Sequence, residues 1–221
     1  MCRGLSLVYL TPFRFRALNP AAESDLKSVH SGIAADWEYD QTLTPEQIAN
    51  GESIYSEQWV KDRIQMVSWL HSANANDTND ITVSPSMTLG ATSKHFYDFA
   101  TSKGIHLVGN GVEQQYIFGN DTDNGAIAGL AGDDHLYGGA GNDTLTGNNG
   151  NDHLEGNEDN DNLDGGAGND KLLGGQGDDS LKGGKGDDIL QGGLGTDTYT
   201  YTTGDGLDSI VDSDGAGKIQ W

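Results

Sequence analysis

Eight aspartates recur at every ninth residue of the C-terminal half of this 221-residue chain: Asp134, Asp143, Asp152, Asp161, Asp170, Asp179, Asp188 and Asp197. No histidine or cysteine recurs with them. Carboxylates combined with backbone carbonyls form a hard oxygen donor set, which suits Ca²⁺ and denies Zn²⁺ or copper their preferred nitrogen and sulfur. Mg²⁺ fits less well, because it prefers a small octahedral shell and retains several waters. A regular fold that stacks these acids also sets like charges against one another, and a divalent cation between them reverses the sign of that interaction.

The elements that must position these acids follow from the residues around them. The nine-residue period runs from Gly129 to Thr200, eight units in 72 residues. Position one is always glycine: Gly129, Gly138, Gly147, Gly156, Gly165, Gly174, Gly183 and Gly192. Position four is Gly132, Gly141, Gly150, Gly168, Gly177, Gly186 or Gly195, with Asp159 in the remaining unit. Position eight is leucine seven times, from Leu136 to Leu190, and then Tyr199. Glycine inside a helix costs about 1 kcal/mol relative to alanine, whereas turns with positive φ favour it. The first six residues of each unit therefore predict a turn, and the last three a short strand with its middle side chain on one face. Two units make an 18-residue coil, and stacked coils form parallel sheets with the leucines inside. Four such coils at a spacing of about 4.8 Å span roughly 19 Å. A flexible Gly/Asp linker has no reason to keep leucine at every ninth residue. One leucine in nine is nonetheless a thin core, so ordering the backbone calls for a further contribution, which the ion supplies.

The pattern Gly-Gly-x-Gly-x-Asp-x-apolar-x resembles the hemolysin-type calcium-binding repeat of the RTX family. The resemblance implies a parallel β-roll, a calcium-binding solenoid. In it Ca²⁺ sits between turns stacked on the same side, held by the position-six aspartates and by turn carbonyls around the position-one and position-four glycines. Residues 18 apart then share ions. One side pairs Asp134 with Asp152, Asp152 with Asp170 and Asp170 with Asp188; the other pairs Asp143 with Asp161, Asp161 with Asp179 and Asp179 with Asp197. About six ions are expected. Unit 156–164 departs most, with Asn157 and Asp159 in glycine positions, which singles out the sites involving Asp161. The resemblance further implies a secreted, extracellular protein that uses a type I secretion machinery. Extracellular calcium modules bind in the range of about 10⁻⁴ to 10⁻³ M, so such a chain stays unfolded inside the cell and folds outside it.

Charge supports cations as partners. Lys plus Arg total 12 against 34 Asp plus Glu, a formal net charge of −22, which makes nucleic acid and anionic membranes poor partners. Residues 1–118 hold 13 acidic and 8 basic residues; the remaining 21 acids and 26 of the 33 glycines lie in residues 119–221. No apolar run approaches the roughly 18 residues of a membrane span. The single cysteine, Cys2, forms no internal disulfide. The expected organisation is therefore an N-terminal region over 1–118, a roll over 119–200 with regular repeats at 129–200, and a C-terminal capping segment over 201–221. The fold class is mainly β, preceded by a small mixed or α N-terminal region.

In the flanks, Phe118 and Ile127 sit at the nine-residue phase of Leu136 and read as degenerate leading coils. Tyr199, Tyr201, Ile210 and Ile219 read as strand residues that close the roll, because a solenoid must cover its last coil. Asp205, Asp208, Asp212 and Asp214 read as surface acids in turns rather than a further ion site. The chain stops at Trp221 within a strand pattern, and the beginning at Met1 lacks a signal-peptide pattern, so a fragment of a longer protein is expected. In the N-terminal region, Thr44-Pro45-Glu46-Gln47 is a helix start. From about Ser53 to His71, Trp59, Val60, Arg63, Ile64, Met66, Val67 and Leu70 repeat at helical spacing, with Asp62 and Arg63 expected on a solvated face.

Catalytic patterns are missing: no Gly-x-Ser-x-Gly elbow, no His-Glu-x-x-His and no phosphate loop. His30 and His95 read as structural histidines, and His135 and His153 as outward-pointing neighbours of strand leucines. Ala17-Leu18-Asn19-Pro20 and Val60–Met66 look like the stretch that joins a lipase-like α/β-hydrolase part to an RTX roll in some secreted bacterial proteins. On that alternative the catalytic serine lies upstream and this chain alone is inert. A surface-adhesive rod is a lesser alternative: ice binding wants a threonine ladder, and only Thr144 with Thr146 and Thr198 with Thr200 supply pairs.

Overall fold

The computed structural model describes residues 9–11, 14–16, 44, 56, 58–59, 61–63, 65, 81–83, 93–98, 103–107, 112–120 and 122–221. The nine-residue units alternate between two sheets, as a turn-strand-turn-strand coil requires. Strands Glu113–Phe118, His135–Gly139, His153–Glu158, Lys171–Gln176, Ile189–Leu194 and Ser209–Val211 run in parallel through one sheet. Ala126–Ala128, Thr144–Asn149, Asn162–Ala167, Ser180–Lys185, Thr198–Thr200 and Lys218–Gln220 form the other. Each sheet of the roll thus has six rungs, two more than the regular repeats alone provide. The parallel β-solenoid expected from the period is the fold observed.

Register follows the repeat. Leu154 pairs with Leu136 on one side and Leu172 on the other, and Leu163 lies likewise between Leu145 and Leu181. Ile127, the seven leucines and Tyr199 form one buried column, with Ile117 and Ile210 packed at its ends. The coils are too close for side chains at the turn glycines. A methyl group added at Gly168, whose φ is +141°, would lie 1.7 Å from the Gly150 carbonyl oxygen. Asn157 and Asp159 adopt positive φ values of 86° and 74°, so the divergent unit keeps the path of its neighbours at the cost of backbone strain.

At the leading end the phase differs from expectation. Ile117, rather than Phe118, stands opposite Leu136, so this coil is one residue longer than the regular ones. Phe118 consequently turns to the outer face, where it stacks on Tyr137 at 5.1 Å between ring centroids. The same sheet continues across Gly119 into the N-terminal region. Ser93–Asp98 pairs in parallel with Glu113–Phe118 and antiparallel with Lys103–Leu107, which in turn pairs with Ile81–Val83. These strands were not legible as repeats. A separate pair, Tyr9–Thr11 with Arg14–Arg16, is antiparallel.

Gln58, Trp59, Lys61, Asp62, Arg63 and Gln65 are helical. Ser56 caps this helix: its hydroxyl accepts the Gln58 and Trp59 N–H groups at 3.1 and 3.0 Å. Thr44 is exposed; the remainder of the helix start predicted there, like His30 and residues 17–20, lies outside the described residues. The helix packs on the outer face of the larger sheet, with Trp59 edge-on to Phe118 and the Arg63 guanidinium 4.7 Å above that ring.

Asp62 corrects the expectation of a solvated face. It is buried, and its Oδ2 accepts the Tyr137 hydroxyl at 2.6 Å and faces His135 Nδ1 at 2.5 Å. Those partners, and Gln58 beside it, hold its carboxyl below the usual carboxylate range although burial opposes them. His153 likewise meets Glu155, which also accepts the Ser56 hydroxyl. Both histidines leave the core face as expected, but they emerge under a helix rather than into water. His95 bonds Gln115 through Nδ1 at 3.0 Å.

Candidate metal centre

Every sixth residue of a unit ends its turn just before the strand, so its side chain folds back under the turn. All eight repeat aspartates are buried. The two oxygens of each carboxylate play different parts, except in the leading pair, where Asp134 Oδ2 accepts Leu130 N at 2.9 Å and both Asp143 oxygens face Asn124. Oδ1 accepts the backbone N–H of the aspartate one coil earlier: Asp134 N to Asp152, Asp152 N to Asp170 and Asp170 N to Asp188, each at 2.8 Å. The opposite row repeats this from Asp143 to Asp161 to Asp179 to Asp197, at 2.8 to 3.0 Å. At the leading ends, Gln115 and Asn124 donate to Asp134 and Asp143. The aspartate pairs 18 apart are thus adjacent layers of two rows.

Oδ2 is different. In Asp152, Asp161, Asp170, Asp179, Asp188 and Asp197 it is buried without a hydrogen-bond donor. A buried carboxylate oxygen that meets no donor costs free energy, so three in each row call for a partner that is not a hydrogen bond. Around these oxygens the backbone supplies further oxygen. A methyl group at Gly165 would lie 2.5 Å from Asp170 Oδ2 and 2.6 Å from the Gly183 carbonyl oxygen of the next coil. At Gly147 the same test meets Asp152 Oδ2 and Gly165 O, at Gly156 Asp161 Oδ2 and Gly174 O, and at Gly174 Asp179 Oδ2 and Gly192 O. Carboxylate and carbonyl oxygens therefore converge where position one must be glycine. The position-four carbonyls take another path, each lying against the position-four Cα one coil on, as Gly150 does under Gly168.

Electrostatics agrees with the geometry. Burial, and then neighbouring carboxylates, push the carboxyls up: Asp161 to about 9, Asp170 and Asp179 to about 7 and Asp152 to about 6, each with an aspartate of its own row among the causes, and Asp197 to about 6, where Asp212, Asp214 and Asp178 act instead. Asp134, Asp143 and Asp188 are raised as well, again chiefly by burial. Asp161, beside the divergent glycine positions, keeps the same two-sided arrangement as the others. Among the described residues no three His, Cys, Asp or Glu side chains converge into a metal-binding group. Any ion in these rows must therefore draw on backbone oxygen, which is Ca²⁺ chemistry rather than Zn²⁺ chemistry.

Sequence reasoning passed over a second ladder. Position five is Asp133, Asn142, Asn151, Asn160, Asn169, Asp178 and Asp187 before it becomes Thr196. Its side-chain oxygen accepts the N–H of the position-five residue in the following coil, as in Asn151 N to Asp133 and Asn169 N to Asn151, at 2.8 and 2.9 Å. The opposite row does the same, with Asp178 N donating to Asn160 and Thr196 N to Asp178. Position six bonds back along the stack and position five bonds forward. The signal was present in the sequence as Asn or Asp in seven of eight units.

Comparison with protein families matches the RTX calcium-binding nonapeptide repeat in four overlapping copies, at residues 118–154, 146–181, 164–199 and 173–210. No curated protein and no solved structure matches the chain.

Proposed function

Residues 118–210 carry RTX calcium-binding repeats and form a calcium-binding β-roll, and from that premise we propose that Ca²⁺ is a structural part of the chain and the trigger of its folding outside the cell. The single observation that carries this reading is the set of six buried Oδ2 atoms without donors, four of them set against a carbonyl oxygen of the next coil. The ligands are the side chains of Asp134, Asp143, Asp152, Asp161, Asp170, Asp179, Asp188 and Asp197 with turn carbonyls beside them. The bound ion supplies positive charge between layers whose carboxylates otherwise repel. The chain's own part is to hold Oδ1 on the neighbouring N–H, which aims Oδ2 at the gap between coils, and to keep glycine where a side chain would fill it.

Folding that waits for calcium suits a secreted bacterial protein. Where free Ca²⁺ is scarce, charged buried rows oppose stacking and the chain stays extended for export through a type I machinery; in an extracellular medium the ions close the rows. No helix among the described residues is long and apolar enough to cross a membrane. Far-UV circular dichroism tests the reading. The purified chain should show little β-structure in chelator and gain it cooperatively in millimolar Ca²⁺, but not in equal Mg²⁺. The same spectrum in chelator and in calcium would overturn it.

A further inference from the structure

The two rows of aspartates end differently, and the difference lies in the segment beyond the regular repeats. On one row the inter-coil bonds continue past Asp188 although the spacing changes from 18 residues to 20. Asp188 N donates to Asp208 Oδ1 at 3.2 Å, as every earlier aspartate of the row does to its successor. Ser209 N donates to the Asp188 carbonyl at 2.8 Å, just as Ile189 N does to that of Asp170 at 2.9 Å. Leu207 N donates to Asp187 Oδ1 at 3.0 Å, which extends the position-five ladder. Gly206, at φ +139°, lies over the Gly186 carbonyl in the manner of a position-four glycine. Residues 203–211 are thus a ninth unit with Gly206 at position four, Asp208 at position six and Ile210 at position eight. The two extra residues before it hide it from a nine-residue count.

On the opposite row the cap has no such acid. Lys218 N donates to the Asp197 carbonyl, which puts Gly217 in the sixth position. The nearby Asp212 is occupied, its two oxygens accepting Gly215 N and Gly217 N at 3.0 and 2.8 Å.

We propose that Asp208 is a ninth metal-ligating aspartate, and that with Asp188 it closes an additional Ca²⁺ site between the last regular coil and the cap. The buried Asp188 Oδ2 has no donor, and a methyl group at Gly183 would lie 2.2 Å from it, as one at Gly165 would lie 2.5 Å from Asp170 Oδ2. Burial, and then Asp187 and Asp205 nearby, raise both carboxyls. The roll then has four gaps between aspartates on this row and three on the other, seven instead of the six counted from regular repeats. The cap in this reading is stapled to the roll by an ion held between two aspartates on one side, while on the other Asp197, whose Oδ2 likewise lacks a donor, has no aspartate at position six of the cap to share an ion with.

This inference rests on the calcium reading above, and the test separates the two. The full chain is dialysed to equilibrium in buffered millimolar Ca²⁺ and its ions are counted by elemental analysis for wild type, Asp208→Asn, Asp214→Asn and Asp170→Asn, with folding checked by circular dichroism. Asparagine retains the oxygen that accepts Asp188 N–H and removes only the charge. Asp208→Asn should bind one ion fewer than wild type, Asp214→Asn the same number, and Asp170→Asn at least one fewer. If Asp208→Asn keeps the wild-type count while Asp170→Asn loses ions, Asp208 is an ordinary turn acid and the calcium reading stands. If wild type binds no calcium, the calcium reading itself fails. Should Asp208→Asn not fold, Asp208→Glu decides the matter. Recovery of the fold and the wild-type count by the restored charge supports the site, and failure to recover either overturns it.

Discussion

The two lateral faces of the roll are built from the same nine residues and meet different fates. On the larger sheet, positions seven and nine of the leading coils are His135, Tyr137, His153 and Glu155, and they lie beneath the helix that carries Trp59, Asp62 and Arg63. On the smaller sheet the same positions hold Thr144, Thr146, Asn162, Asp164, Ser180 and Lys182, none of them buried. The interior columns behind the two faces match residue for residue, leucine against leucine until Tyr199 follows Leu190. The period thus governs the inside of the roll and the turn rows, while the outside is free to vary and takes its character from whatever packs there. The threonine pairs illustrate that freedom: Thr144 with Thr146 and Thr198 with Thr200 share the smaller sheet but are separated by two rungs of other residues.

Both faces should fail together when the shared rows lose their ions. Chelation of calcium is expected to remove most β-structure from both sheets, the largest effect; a chain whose smaller sheet persisted in chelator, read by hydrogen exchange, would break the common dependence. The double replacement Asp152→Asn/Asp170→Asn should follow in size. It touches the row of Asp134, Asp152, Asp170 and Asp188, should lower the ion count by at least two, and should weaken the other row through stacking alone.

Acid should act on the calcium-free roll in the opposite sense to its usual effect on proteins. The row carboxyls are raised in the folded chain, to about 6 for Asp152 and Asp197, about 7 for Asp170 and Asp179 and about 9 for Asp161. Folding therefore takes up protons. Their contribution is fully present below the ordinary aspartate value of about 3.9 and is lost as the pH rises through 6 to 9. Circular dichroism in chelator should accordingly show β-structure gained on acidification; loss of structure on acidification without calcium would contradict the origin assigned to these shifts.

Smaller effects distinguish the covered face from the open one. Asp62→Ala strands the Tyr137 hydroxyl and His135 beneath the helix and should cost about 1 to 3 kcal/mol in denaturant titrations followed by tryptophan fluorescence, with the calcium count unchanged. Lys182→Ala removes the 2.8 Å pair with Asp164 on the open face and should change stability by less than about 0.5 kcal/mol. Equal costs for the two would mean that the helix does not seal its face.

Much of the roll was legible because its spacing repeats. The leucine column, the glycine turns and the aspartate rows follow from residue type and a fixed count. Asn157 and Asp159 did not disturb them, since backbone in neighbouring coils holds the divergent unit in place. The count misled where residues had been added. One extra residue put Ile117 in the place expected for Phe118, and two extra residues concealed Asp208 among the acids of the cap. The position-five ladder is visible in the sequence as Asn or Asp in seven of eight units, but which coil each side chain bonds is not. Asp62 could not be read at all: a carboxylate on a helix is solvated or buried according to the surface it meets, and that surface lies more than 70 residues away.

From the amino acids alone came the period, the parallel stacking, the choice of a hard cation and the pairing of acids 18 apart, because glycine, leucine and aspartate at fixed intervals leave few ways to satisfy backbone, core and charge together. Tertiary structure decided which oxygen of each aspartate is bonded and which is left without a donor, which face the helix covers, and where the rows end. Those outcomes depend on distances between coils and on insertions that shift register by one or two residues, quantities set by stacking in three dimensions rather than by the order of residues along the chain.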